Sequence, residues 1–262
     1  MITSIKSFLT AILYAPLFNL LFLLIHWLPG ESLALGIISL TALVRLLLLP
    51  VSAQAVRSQK ETQAIQPEID KLNEKFKDDP QEKQKQLLQL YQDHNINPFK
   101  SCLPLLIQLP ILLILYRVFI KGIQHTDFSL LYSFVPQPQF LNTTLFGINL
   151  EESSLILALI AGAFQFIQTW QIQRRQKAHL PKSDKPAQEI DPTKAAQQVS
   201  NKLAYIMPVF TIFIAMTLPS ALAIYWIITT VFAIAQQFVI FRTHPEVAQP
   251  HVAVSIKRPQ EK

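Results

Sequence analysis

LALGIISLTALVRLLLLP, residues 33–50, is an apolar run close to the length of a membrane span, and it carries Arg45 well inside it. A helix crossing about 30 Å of hydrocarbon needs about 20 predominantly apolar residues. A cation near the bilayer centre costs roughly 2.5 to 3.5 kcal/mol on insertion scales, so an ionisable residue at that depth is a functional candidate by default. The plain alternative is snorkelling, because Pro50 and the polar run from Ser52 lie about one to two turns further on. Thr41, Arg45 and Ser52 fall at i, i+4 and i+11 and share one helix face. Thr41 or Ser52 alone could bond the carbonyl four residues back, an outlet a guanidinium lacks. Pro50 predicts a kink rather than a stop.

Outward from this stretch the composition has one class. The 262 residues are 50% hydrophobic and 15% charged, with 17 Phe and a mean hydropathy of +0.29. The apolar residues cluster in runs near twenty long, where globular core helices are shorter. The expected fold is an all-α integral membrane protein: five transmembrane helices, an N-terminal interfacial helix and a cytoplasmic helical hairpin. Cys102 is the single cysteine, so no intrachain disulfide framework is possible.

Residues 1–30 contain the apolar run 8–28, interrupted by Pro16, Asn19 and His26. It is expected to lie in the interface on Tyr14, His26 and Trp27, with a sixth crossing as the alternative; no cleavage pattern of a signal peptide follows it. The first span takes 31–56. Residues 57–97 turn charged and Gln-rich, a soluble hairpin with Asp78, Asp79 and Pro80 at its turn. Ile65, Ile69, Leu72 and Phe76 recur at helical spacing and are expected to face Leu87, Leu88, Leu90 and Tyr91. The hairpin is either a solvated spacer or a docking surface, on which Lys71, Lys75 and Lys83 would meet a cytoplasmic partner.

Residues 98–121 are the second span, 122–152 a membrane-hugging loop rich in Phe and Pro, and 153–173 the third span. A basic loop, 174–202, leads to the fourth span, 203–217; the break at Pro219 separates it from the fifth, 220–241. The tail 242–262 reads as polar and unstructured. Seven cations sit in the hairpin (Arg57, Lys60, Lys71, Lys75, Lys77, Lys83, Lys85) and seven in the second basic loop (Arg174, Arg175, Lys177, Lys182, Lys185, Lys194, Lys202), against none in 122–152. The positive-inside rule therefore puts hairpin, basic loop and C-terminus in the cytoplasm.

The candidate site is a polar lining at membrane depth: Arg45 and Thr41 on the first span, Gln108 on the second, Gln165 and Gln168 on the third, and Trp226 and Thr230 on the fifth. Singly, a membrane glutamine bonds a neighbouring helix for about 0.6 kcal/mol, and Trp sits at interfaces. Their combination with Arg45 is less ordinary, because the five apolar runs contain no Asp or Glu to pair with it. A buried lone cation is costly, which implies water beside it in a cavity or groove. No GxSxG, HExxH, CxxC or P-loop pattern occurs, and the six His (26, 94, 125, 179, 244, 251) lack ligand spacing. No enzyme activity, metal, cofactor or nucleic-acid site is expected.

TALVRLLLLP (41–50), NPFKSCLPLLIQLPILLILY (97–116), YIMPVF (205–210) and LPSALAIYWIITTVFAIAQQ (218–237) together resemble the YidC family of membrane protein insertases, in matching order over nearly the whole chain. The resemblance implies a five-helix core in a bacterial inner membrane, with a hydrophilic groove open to cytoplasm and lipid and closed outside. It implies Arg45 as the groove arginine, Gln168 and Trp226 as groove partners (Gln165 being the alternative within FQFIQTW), and a flexible hairpin at 57–97. The partners implied are nascent membrane proteins, the bilayer, the ribosome and a Sec-type translocase. The large extracytoplasmic domain of many Gram-negative members has no counterpart here, and only Lys257, Arg258 and Lys262 supply basic residues in the last ten positions of the short tail. A transporter or channel subunit with Arg45 as an anion site is the alternative from another class, against which stand the missing carboxylate relay and internal repeat. A passive assembly chaperone is the third.

Overall fold

The computed structural model describes residues 10–77, 79–97, 108, 110–120, 128–138, 140–178 and 192–243. The tail beyond 243, Cys102 and the stretch 98–107 of the second span lie outside the described residues. A π-wound turn, Thr10–Tyr14, leads into α1 (Ala15–Trp27). Leu28, extended before Pro29, ends this helix, and Gly30, at φ 73°, supplies the left-handed turn that follows. Ser32 then caps α2 (Leu33–Leu47) by accepting from the Leu35 N–H.

Leu48 interrupts the helix, and α3 (Leu49–Ala64) starts with Pro50 in its first turn. The two axes are bent by 63°. Proline has no N–H to continue the ladder and its ring crowds the preceding turn, so the break falls where the sequence places it. The same device recurs at Pro67, in the first turn of α4 (Gln66–Lys75). Asp79 caps α5 (Pro80–Asp93), accepting from the Gln81 and Glu82 N–H groups.

Helices α4 and α5 pack around a small cluster of their own: Ile65, Ile69, Leu90 and Ile96 are buried, with Leu72, Leu87 and Tyr91 half-buried against them. Leu88 faces solvent at 50% exposure, and Ile96, beyond α5, fills the space in its place. Burial in this cluster raises the Tyr91 hydroxyl above its ordinary pKa, keeping the ring neutral where it packs.

The membrane portion follows as α6 (Pro110–Ile120), α7 (Leu155–Ala178), α8 (Pro192–Thr217) and α9 (Ser220–Thr243). α9 is the hub, touching α2, α3, α7 and α8. Helix α8 begins well before the apolar run expected at 203, because Pro192 suits a first helical position and PTKAAQQ favours helix without being apolar. By length and composition Thr10–Trp27, Leu155–Arg175 and Ser220–Thr243 can each cross a membrane, and the bent pair α2–α3 makes a fourth candidate. Pro110–Ile120 and Ala204–Thr217 are apolar but shorter. The helix faces turned away from the core carry Leu155, Ile156, Phe166, Val209, Phe213 and Phe238, all exposed, as lipid-facing surfaces would be.

At one end of this bundle, loop residues between 130 and 152 are bonded to the helix starts. A small antiparallel hairpin, β1 (Thr144–Leu145) with β2 (Ile148–Asn149), turns through Phe146 and Gly147, both at positive φ. Asn142 bonds backbone to backbone with Glu31 and Leu33 at the start of α2. The Ser220 N–H and hydroxyl both donate to the Glu152 carbonyl at the start of α9, and the Ala221 N–H donates to Leu150. Asn19 of α1 completes the seam: its amide nitrogen donates to the Ala15 and Leu130 carbonyls, and its oxygen accepts from the Tyr132 N–H. Beneath lie Val135, Leu141 and Leu150, all buried, while Phe134, Phe140 and Phe146 point outward.

Replacing Asn19 with Leu removes the partner of the part-buried Leu130 carbonyl and Tyr132 N–H, a loss of about 1 kcal/mol each. The expected outcome is faster protease cleavage within 128–142 in detergent, with the α7–α9 region equally resistant in both proteins.

Candidate functional site

Arg45 occupies the last turn of α2, about 20 Å along the helix from Ser32 at its start. A cation there is favoured by the helix C-terminus by about 0.3 to 1 kcal/mol, which does not by itself offset the cost of desolvating a charge. The guanidinium is half-buried. Its Nη2 donates to the Gln108 side-chain oxygen at 2.9 Å. Gln108 in turn donates through Nε2 to the Tyr225 hydroxyl. Three helical segments, α2, the start of the α6 region and α9, are thereby joined by one polar chain.

The orientation of the middle member follows from donor chemistry. A guanidinium has only donors, so the amide must turn its oxygen to Arg45, which leaves its NH2 for Tyr225. Among the described residues no carboxylate lies within ion-pair distance of Arg45; the ion pairs found are Lys85–Glu82 and His94–Glu68, both in the α4–α5 region. The guanidinium therefore retains donor capacity beyond its bond to Gln108.

Below Arg45, where α2 bends into α3, Gln236 of α9 donates to the Ser52 hydroxyl at 2.8 Å and to the Leu49 carbonyl at 3.3 Å. Ser52 donates back to Leu48 at 2.9 Å. These bonds surround the break created by Pro50 and hold α9 against the bend. Further along, the Phe241 ring receives Arg175 of α7 at 4.0 Å and Lys60 of α3 at 5.5 Å from its centroid. Arg174 lies over Trp170 and Arg242 over Phe238. The cations of this end thus rest on aromatic faces, at some distance along the helices from Arg45.

The structure brings Arg45 and Gln108 together and distributes the other expected residues differently. Thr41 is buried, and its hydroxyl donates to the Ile37 carbonyl at 2.6 Å, so it serves its own helix. Gln165 and Gln168 are half-buried on α7, and neither enters the chain through Arg45. Trp226 is half-buried against the apolar core, and Thr230 is buried one turn beyond it. Lys71 and Lys75 are exposed on α4, Lys75 lying 5.2 Å from the Phe76 centroid, while Lys83 is half-buried on α5.

Tyr225 is the residue that single-helix reasoning passed over. Helix α9 carries two polar stripes: Trp226, Thr230 and Gln237 at i, i+4 and i+11, and Tyr225, Thr229 and Gln236 at the same spacing. The second stripe meets Gln108 and Ser52, while the Gln237 carbonyl accepts from Arg175 of α7 at 3.4 Å. The spacing of the second stripe matches that of Thr41, Arg45 and Ser52, but so does that of the first, so spacing alone does not single it out.

The chain is similar to a family of known membrane proteins. The family described as 60Kd inner membrane protein matches residues 24–247. Membrane protein insertase YidC 1 of Halalkalibacterium halodurans is 34% identical over 230 residues, 86% of this chain and 76% of that protein. Membrane protein insertase YidC of Clostridium tetani is 36% identical over 201 residues, 76% of this chain and 77% of that one. Membrane protein insertase MisCA of Bacillus subtilis is 34% identical over 217 residues, 81% and 72% of the two chains. On a match that runs through every described membrane helix from α2 to α9, the chain belongs to the 60Kd inner membrane protein family, the family of the YidC membrane protein insertases.

Proposed function

We propose that this protein inserts hydrophobic helices of nascent membrane proteins into the bilayer through a wet groove, open to the cytoplasm and to lipid, in which Arg45 is the anion-holding residue. The observation that carries this reading is the half-buried guanidinium bonded to Gln108, with no carboxylate at ion-pair distance among the described residues. The seam across the loop 128–152 supports a groove that ends part-way through the membrane rather than a pore. In this reading that seam faces outside, α4 and α5 form the cytoplasmic hairpin, and the C-terminus is cytoplasmic. The positive-inside count supports the same orientation.

The mechanism needs no motor. A client segment slides along the lipid-facing side while its short polar or acidic tail enters the groove and is held transiently by Arg45. Arginine stays charged and binds carboxylates bidentately, so it can hold such a tail without itself being neutralised. The driving term is transfer of the client's apolar residues, each central Leu, Ile or Phe contributing about −0.3 to −0.6 kcal/mol. A half-depth groove shortens the apolar layer the tail must cross. Gln165, Gln168, Trp226 and Thr230 would form the outlying wall, and Lys71, Lys75 and Lys83 would meet a ribosome or Sec-type translocase. The Asn19 clamp supports an interfacial place for α1.

The test is reconstitution into vesicles with this protein alone and a single-span client bearing a short acidic tail. Insertion predicts that the tail becomes protease-protected. Binding without protection would instead mark a holding chaperone, and solute flux through the vesicles would mark a channel or transporter.

A further inference from the structure

Arg45 sits only two residues from the end of α2, beside a sharp bend and beside the exposed Leu46 and Leu47. A free arginine in that place would extend toward the nearer interface, as long cationic side chains do. Here the Nη2 of Arg45 is engaged by Gln108, which accepts from it at 2.9 Å. An unanchored glutamine amide is a poor tether, since rotation about its last torsion exchanges oxygen for NH2 and turns an attractive contact into a repulsive one. Gln108 is anchored at its other end by the Tyr225 hydroxyl, and the Tyr225 ring is 2% exposed within the main apolar core. The hydroxyl is thus fixed by packing that has nothing to do with polar chemistry.

We infer that Tyr225 is a positioning residue for Arg45: by accepting from Gln108 it locks the amide oxygen toward the guanidinium, and so sets the depth at which a client carboxylate is met. The inference rests on the groove reading above and adds a specific division of labour to it. Gln108 occupies one edge of the guanidinium through Nη2 and leaves the remaining donors to the client. Tyr225 never touches the client and acts only through Gln108.

The experiment is a double-mutant cycle in the reconstituted full chain, using Tyr225→Phe, Gln108→Leu and both together, on two clients identical except for an acidic or an uncharged tail. Tyr225→Phe keeps the buried ring and removes one oxygen, and unchanged melting in detergent verifies that the core is intact. Each single variant is expected to slow insertion of the acidic-tail client by about 3- to 10-fold, the scale of one hydrogen bond, and the double variant to be no slower than Gln108→Leu alone. The uncharged-tail client should be unaffected. Losses that multiply in the double variant, or that fall equally on both clients, would overturn the relay and mark Tyr225 as a packing residue. Arg45→Ala run in parallel separates the two claims. If it leaves acidic tails unaffected, the groove reading fails; if it stops them while Tyr225→Phe does not, only the positioning role fails.

Discussion

Arg45→Ala should lower insertion of clients with short acidic tails by at least about 100-fold, the scale of removing one partner from a hydrogen-bonded charge contact at about 3 kcal/mol. Gln108 cannot substitute, because its oxygen repels a carboxylate and its NH2 is committed to Tyr225. Arg45→Lys should retain much of the activity, since an ammonium keeps the charge but loses bidentate geometry. The removal also relieves the cost of a cation at depth, so the Ala variant should melt no lower than the parent in detergent. Loss of activity with no loss of stability separates this residue from every structural polar group in the bundle. The check is tail protection in vesicles beside a melting curve for each variant.

Gly162→Leu should have the largest effect on stability. Gly162 lies on α7 where the backbone runs against α8, and even a Cβ at that position would collide with the Ile212 side chain and come within 3.4 Å of the Pro208 carbonyl. Small residues at such crossings let membrane helices approach closely. Pro208 lacks the N–H that would continue the ladder inside α8 and is itself buried at this crossing, leaving little room for a shift. A leucine there must force α7 and α8 apart at about 3 kcal/mol, the upper end of overpacking costs. The expected reading is a lowered melting temperature and protease sensitivity in α8, with Gly162→Ala intermediate because Ile212 can partly rotate aside. An unchanged melting temperature for the Leu variant would mean the two helices are not held at this distance.

How far the sequence foretold these features depends on the physics behind each. The apolar runs and the breaks at Pro50 and Pro80 are local or compositional, and they could be read directly; that Gln108, rather than Gln165 or Gln168, bonds Arg45 is a tertiary fact that spacing does not carry. Burial was also legible for Ile65, Ile69 and Leu90, where one helical period decides the face. α9 was different. Its two polar stripes, Tyr225–Thr229–Gln236 and Trp226–Thr230–Gln237, have identical spacing, so periodicity gives no reason to prefer either. Only the packing of α9 against its neighbours brings Tyr225 to Gln108 and Gln236 to Ser52. Asn19 posed the same difficulty in another form. An asparagine in an apolar helix reads as an interruption, and its true partners lie more than a hundred residues away in an irregular loop. Thr41 shows the converse, a shared face with Arg45 whose hydroxyl is satisfied within its own turn.

The claim at the centre is that Arg45 selects client tails by charge, and reversing that charge tests it most directly. The measurement compares Arg45→Glu with the parent on two single-span clients that differ only in carrying an acidic or a basic tail, scoring protease protection in vesicles. The account predicts that the preference inverts, the variant failing on the acidic tail and gaining on the basic one. Equal loss on both tails, or an unchanged preference for the acidic one, would contradict it.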